Sequence, residues 1–347
     1  MNTDPIKVTV IVPFYQRETG ILQRAIKSAL AQSLRPGVEL NILVVDDGSP
    51  LSAKDELATL TVPSRHELRI VSQPNGGPGA ARNKALGLLS PETTKYVAFL
   101  DSDDEWQPYH ISTALSALDG GHDFYFCDHF RYDSEQSWLE RSVVARGWKS
   151  GTREPAPVPL DRWEDIFSLA SQPAFDAFVE EYLSQTSTVV YRFDRHPTLR
   201  FDTDLRSAGE DHMFWLSLAR KSSSVAFSTR KNVLCGRGVN IYFSALDWDS
   251  PDAVARNGYL LIFRLKLRQM GLTSSQAAKI DVQIAEDGKT LAYLLARNVA
   301  KGRTPDWHVL SQVFKVSLPQ AVGLPLRLLP MLSKRERNRI AAKRQSA

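Results

Sequence analysis

The chain has 347 residues, 43% apolar and 24% charged, with 43 basic against 39 acidic side chains and a formal net charge of +4. That balance excludes wholesale disorder, and at about 150 residues per domain the length suggests two domains, each able to bury a core without disulfide staples. Cys127 and Cys235 are too far apart for a zinc motif, and no apolar run reaches the ~18 residues of a bilayer span.

In chain order, Val8–Val12 reads as a buried strand ended by Pro13. Ile21–Ala31 has helical spacing, Leu40–Val45 is a second buried strand, and a short helix is expected over Ala53–Leu60. Leu68–Val71 is a strand, followed by a Gly/Pro loop and a helix near Pro78–Leu89; Tyr96–Leu100 is the next strand. Continuous apolar strands alternating with helices predict an α/β class with a mostly parallel sheet covered on both faces. Phe124–Cys127, Thr188–Tyr191 and Val225–Phe227 are further short strands, Gly147–Pro159 a loop and Asp211–Arg220 a helix. After Pro251 the pattern is all-helical. Thr273-Ser274-Ser275-Gln276 fits a capping box opening a helix toward Val299, and Thr304-Pro305 fits a cap with proline at the first helical position. The change of period divides the chain into residues 1–250 and 251–347.

Ligands of open parallel sheets bind beyond the carboxyl ends of the strands. Two predicted strands end there in acid: Asp46-Asp47-Gly48-Ser49 and Asp101-Ser102-Asp103-Asp104. Carboxylates facing one crevice repel, and a hard divalent cation, Mg²⁺ or Mn²⁺, relieves that repulsion through oxygen ligands. Asp101 and Asp103 share a side if the chain stays extended; the bland alternative is a solvated acidic turn. Asn75-Gly76-Gly77-Pro78-Gly79-Ala80-Ala81-Arg82-Asn83 follows a strand and opens a helix, where glycines permit close approach and the helix start attracts anions. Its other readings are a plain helix cap with left-handed glycine and a dinucleotide fingerprint, the latter weakened by Arg82 where the third glycine belongs. Gly209-Glu210-Asp211-His212 opens a helix and serves either as capping acid or as chemistry.

Taken in order, VTVIVPFYQRETGILQRAIKSALAQ, ILVVDDGS, QPNGGPGAARNKAL, YVAFLDSDDEW and RFDTDLRSAGEDHMFW resemble glycosyltransferase family 2, inverting enzymes of the GT-A fold, across roughly residues 8–220. The narrower likeness is to glucosyltransferases of succinoglycan-type exopolysaccharide synthesis. The resemblance implies that Pro13 and Tyr15 lie on a loop closing over the nucleotide and that Asp47 accepts a hydrogen bond from uracil. It places Asp101 near ribose and metal and makes Asp103 the metal ligand. Arg82 becomes a nucleotide-side contact and Asp211 the general base. One departure is Leu234-Cys235-Gly236-Arg237, where relatives carry an arginine near Cys235; Arg237 is the candidate replacement.

These roles imply a metal-dependent transfer of a hexose, glucose from UDP-glucose on the narrower likeness, to a hydroxyl of a growing, lipid-linked oligosaccharide. A nucleotidyltransferase is the rival enzyme class, but its glycine loop would follow the first strand, where this chain has PFYQRE. A nucleotide-sugar-binding protein without catalysis is the non-enzymatic rival. Few thiols and an N-terminus that reads as a strand rather than a signal peptide lead us to expect the cytoplasm. From Lys301 to Ala347 ten Lys/Arg face only Asp306 and Glu336. That basic tail, beside the apolar run Gly323–Leu332, suits peripheral contact with an anionic membrane face or a solvated terminus. Nucleic acid is not expected, since no basic patch is interleaved with aromatics.

Overall fold

The computed structural model describes residues 5–160, 163–206, 208–236, 250 and 252–327. It divides into two compact units, Met1–Phe201 with Phe214–Val239, and Asp202–Met213 with Asn240–Ala347.

The described residues of the first unit build one ten-stranded sheet. Its strands are β1 (Ile6–Phe14), β2 (Val38–Asp46), β3 (Glu67–Ser72), β4 (Tyr96–Phe99), β5 (Glu105–Trp106), β6 (Phe124–Arg131), β7 (Val158–Leu160), β8 (Trp163–Ala170), β9 (Val190–Arg192) and β10 (Ser224–Cys235). The order is β3-β2-β1-β4-β9-β6-β10-β8-β7, with β5 paired to β10. The four strands β3, β2, β1 and β4 are all parallel, so their carboxyl ends meet at one edge. β9 runs antiparallel to both β4 and β6, and β8 antiparallel to β10. The sheet is therefore mixed, and its parallel half is the part read from the sequence.

Alternate residues of β1 explain the two layers. Val8, Val10, Val12 and Phe14 join Leu22 and Ile26 of the helix Ile21–Leu30 and Ile111 and Leu115 of the helix His110–Asp119 in one core. A second core is aromatic: Phe99, Tyr191, Phe201, Phe214 and Trp215 lie edge-on or stacked at centroid distances of 4.3–6.2 Å.

Several expectations are corrected. β1 does not end before Pro13, which pairs with Val45 inside the strand and is buried. Ile11 accepts a bond from Leu100 on the β4 side, so Pro13, two residues on, turns its hydrogen-less nitrogen to that side. Pairing with β4 ends at Ile11↔Phe99, so no ladder bond is lost. Val225–Phe227 is the start of a twelve-residue strand carried through two register shifts beside Lys231. The segment read as a loop, Gly147–Pro159, holds the end of the helix Val143–Lys149 and the start of β7.

The second unit is helical in its C-terminal part: Ala253–Arg268, Ser274–Ala300, Trp307–Val316 and Leu318–Gly323. Thr273 and Gln276 form the expected reciprocal capping box. Thr304-Pro305 is not the next cap. Asp306 is, its carboxylate accepting the Val309 amide at 3.0 Å. Val309 packs on Gly258, where a Cβ would stand 2.1 Å from its methyl carbon. No helix among the described residues is long and apolar enough to cross a membrane. The tail beyond residue 327 and Arg237 lie outside the described residues.

Candidate active site

The carboxyl edge of β2, β1 and β4 gathers the acidic motifs, and Gln16 stitches them. Its backbone amide donates to the Ser49 hydroxyl at 2.9 Å, and that hydroxyl donates back to the Gln16 carbonyl at 3.1 Å. Its side-chain amide reaches the Ser102 hydroxyl at 3.0 Å. The loops after β2 and β4 are thus tied through one buried glutamine after β1, which sequence reasoning did not single out.

Asp46 and Asp47 divide the work. Asp46 accepts the amides of Ser49 (2.9 Å) and Ala53 (3.0 Å), holding the Asp-Gly-Ser turn and the start of the helix Ala53–Glu56. It is spent on its own loop and does not face a crevice. Asp47 accepts Gln73 Nε2 (2.7 Å) and the Gly76 amide (2.8 Å) on Oδ1, and the Gly77 amide (2.8 Å) on Oδ2. The glycine-rich loop is therefore organised around a carboxylate of this chain, and those two amides are not free for a phosphate. The glycines are needed: Gly77 has φ 87° and ψ 168°, a region open almost only to glycine and distinct from the left-handed cap of the alternative reading. A Cβ at Gly76 would stand 2.9 Å from that of Ala80.

Arg82 and Asn83 point inward. The Arg82 guanidinium, buried, donates to Asp101 Oδ1 at 2.6 Å and lies 5.1 Å from the Phe201 ring centre. Asn83 exchanges two bonds of 2.8 Å with the Phe201 backbone. Arg82 thus contacts the acidic loop directly and anchors its first carboxylate.

Asp101–Asp104 does not stay extended. The Asp104 amide donates to the Asp101 carbonyl at 3.0 Å, closing a turn. Asp101 is held three ways: its amide by the Ser187 hydroxyl (2.8 Å), Oδ1 by Arg82 and Oδ2 by Gln185 (3.2 Å). Asp104 is fully buried, accepting the Ser187 hydroxyl at 2.6 Å and the Gly236 amide at 2.8 Å. A Cβ on Gly236 would fall 1.8 Å from the Asp103 carbonyl oxygen, so only glycine fits over this turn. Gln185 and Ser187 carry no motif that marks them in sequence, and Gly236 lies in the departing segment Leu234–Arg237 without a role assigned to it; their closeness in space reveals all three.

Burial, and then the charge of Asp101, push the Asp103 carboxyl up to about 6, with Arg24 pulling the other way. Burial raises Asp104 further, with Asp103 and Asp101 adding to it. Crowded, under-compensated oxygen donors fit Mg²⁺ or Mn²⁺. Among the described residues no group of three His, Cys, Asp or Glu forms a cage, so the remaining ligands would be substrate phosphate and water.

A family model for "Glycosyl transferase family 2" matches residues 9–168. The chain is 33% identical over 256 residues to the succinoglycan biosynthesis protein ExoW of Rhizobium meliloti (strain 1021), covering 71% of this chain and 73% of the relative.

The chain belongs to glycosyltransferase family 2.

Among solved structures, S. aureus TarS 1-349 in complex with UDP-GlcNAc matches at TM-score 0.55 and 17% identity, covering 98% of this chain and 90% of the other. Mannosyltransferase PcManGT from Pyrobaculum calidifontis, in complex with GDP-Man and Mn²⁺, matches at 0.54 and 16%, covering 98% and 84%. The fold of this family 2 glycosyltransferase is thus GT-A with a helical C-terminal region.

Of the predicted site residues, Pro13, Tyr15, Asp47, Arg82, Asp101 and Asp103 belong to the first unit. Pro13 is in β1 rather than on a loop, and half-buried Tyr15 follows it. Asp211 belongs to the second unit, at the start of the helix Glu210–Lys221. Its segment is gripped by Phe263. Gly209 has φ +87° and a Cβ there would stand 2.9 Å from the ring, while His212 stacks on the same ring at 4.9 Å. Asp211 Oδ1 accepts the His212 amide at 2.7 Å.

Proposed function

We propose that this glycosyltransferase moves a hexose, glucose from UDP-glucose, onto a hydroxyl of a growing lipid-linked oligosaccharide, in exopolysaccharide synthesis at the cytoplasmic face of the membrane. The likeness to ExoW supports the polymer class. The observation that carries the reading is the stitched edge: Gln16 ties the loop bearing Asp47 to the loop bearing Asp101 and Asp103. The first 250 residues act as the catalytic domain, and residues 251–347 with their basic tail as the region turned to the membrane.

Asp47 reads the base. A carboxylate offers about four lone-pair positions. Three are used by Gln73, Gly76 and Gly77, leaving one on Oδ2 for a single donor such as the uracil imide. Guanine presents a pair of donors and fits less well, which favours UDP over GDP sugars. Pro13 and Tyr15 flank the nucleotide, and Arg82 acts on it through Asp101. Asp103 with Asp101 holds Mg²⁺ or Mn²⁺, whose chemistry when bound is to offset charge on the leaving diphosphate. Asp211 takes the acceptor proton while that oxygen attacks the anomeric carbon from the face opposite the diphosphate. One displacement inverts the centre, so an α-linked donor yields a β-glycoside.

The test is a hydrolysis and transfer screen of UDP-, GDP- and dTDP-sugars with and without Mn²⁺. UDP-glucose turnover that chelation abolishes supports the reading; equal turnover of GDP-sugars overturns the role of Asp47.

A further inference from the structure

The helix Trp307–Val316 shows which of its faces is covered. Val309, Gln312 and Val313 are buried, with Val309 seated on Gly258. The opposite face is exposed and carries Trp307, His308, Ser311, Phe314 and Lys315. At 3.6 residues per turn these five fall in one arc. Trp307 is 70% and Phe314 56% exposed. The next helix continues the pattern with Leu318 (51%) and Val322 (63%), one turn apart, followed by Leu326 (66%). The other exposed large apolar residues among those described are scattered between Leu88 and Val299.

Charge identifies what this surface meets. Lys301 and Arg303, just before the helix, and Lys315 on its outer arc are exposed. Between residues 301 and 327 the single acidic residue is Asp306, whose carboxylate is spent on the Val309 amide. A second copy of this chain would bring the same basic residues against themselves and be repelled. An anionic bilayer complements both features, taking aromatic and aliphatic side chains among its headgroups and ammonium groups against its phosphates.

We propose that Trp307, Phe314, Leu318, Val322 and Leu326, framed by Lys301, Arg303 and Lys315, dock the protein on an anionic membrane surface. This rests on the lipid-linked acceptor proposed above for its purpose alone, since the binding requires no sugar nucleotide.

The test is flotation of the full chain with phosphatidylcholine vesicles with and without phosphatidylglycerol, at two salt concentrations. The expected result is binding to the anionic vesicles alone, weakened by salt. Trp307→Ser/Phe314→Ser should lose about tenfold or more of the vesicle affinity, and Lys315→Gln about fivefold, with thermal unfolding unchanged. Native-level binding by the double variant overturns the proposal. So does a native chain that does not float, or an apolar face whose loss dissolves a dimer instead, read by sedimentation. A chain that fails to float yet turns over UDP-glucose sinks the docking surface and leaves the transferase reading standing; floating without turnover does the reverse.

Discussion

Asp103 and Asp211 were singled out by residue type and motif, and their proposed roles separate in experiment. Asp211→Asn should abolish transfer, by three orders of magnitude or about that, while nucleotide binding stays near native, because only proton removal is lost. Asp103→Ala should instead weaken cation-dependent donor binding, read by calorimetry with and without Mn²⁺. Arg82 was legible as a donor but not as a buried anchor. Its partner Asp101 is two residues from Asp103, and Phe201, over which it lies, is far away in sequence. Arg82→Ala strands a partly buried carboxylate and opens a cavity, and should cost about 3 kcal/mol in a urea melt as well as donor affinity. Gln16, Gln185 and Ser187 were invisible because their value lies in reach across the fold: Ser187 sits 86 residues from the amide it holds.

Elements were legible where one physical signal dominated. Strands β1, β2 and β4 carry buried apolar runs closed by turn residues, and β3 is a short apolar-rich stretch between turns, so their existence follows from pattern. The helix His110–Asp119 was missed: Ser112, Thr113 and Ser116 dilute its apolar pattern, and all three hydroxyls bond back to the carbonyls of Tyr109 or Ser112. The length of β10 was missed because its polar middle sits at register shifts. The cap at Thr273 was read correctly since both partners lie within four residues. Thr273→Ala should lower stability by about 1 kcal/mol, measured by denaturant unfolding. Thr304-Pro305 misled because Asp306, the next residue, supplies a better acceptor.

For the whole molecule, acid sensitivity follows from two buried imidazoles. Burial lowers His110 to about 3. Burial, followed by Arg141 and Arg131, also lowers His129 to about 3. In the unfolded chain a histidine titrates near 6.5, so below that pH the unfolded state binds protons that the folded state refuses. The histidine contribution is flat above about pH 6.5 and falls as pH drops toward 3, by up to about 1.4 kcal/mol per pH unit for each ring, while the raised Asp103 and Asp104 carboxyls, which keep protons in the folded chain, work against it over part of that range. Denaturant melts at pH 7.5 and 5.0 of the native chain and of His129→Gln check the sign: the native chain should lose about 2 kcal/mol more on acidification than the variant, and equal losses would remove the assignment. The fold class was legible at this scale because strand-helix alternation covers the first hundred residues. The mixed half was not, because antiparallel β9 is three residues long and pairs with strands distant in sequence.

One consequence belongs to the Asp47 clasp. The helix Pro78–Leu86 begins with an anion already lodged against the two amides that lead into it, supplied by the chain itself. Replacing Asp47 with alanine would evict that lodger and leave Gly76 and Gly77 as an open cradle at a positive pole. The altered protein should then collect sulfate or inorganic phosphate from solution, a guest the native fold turns away.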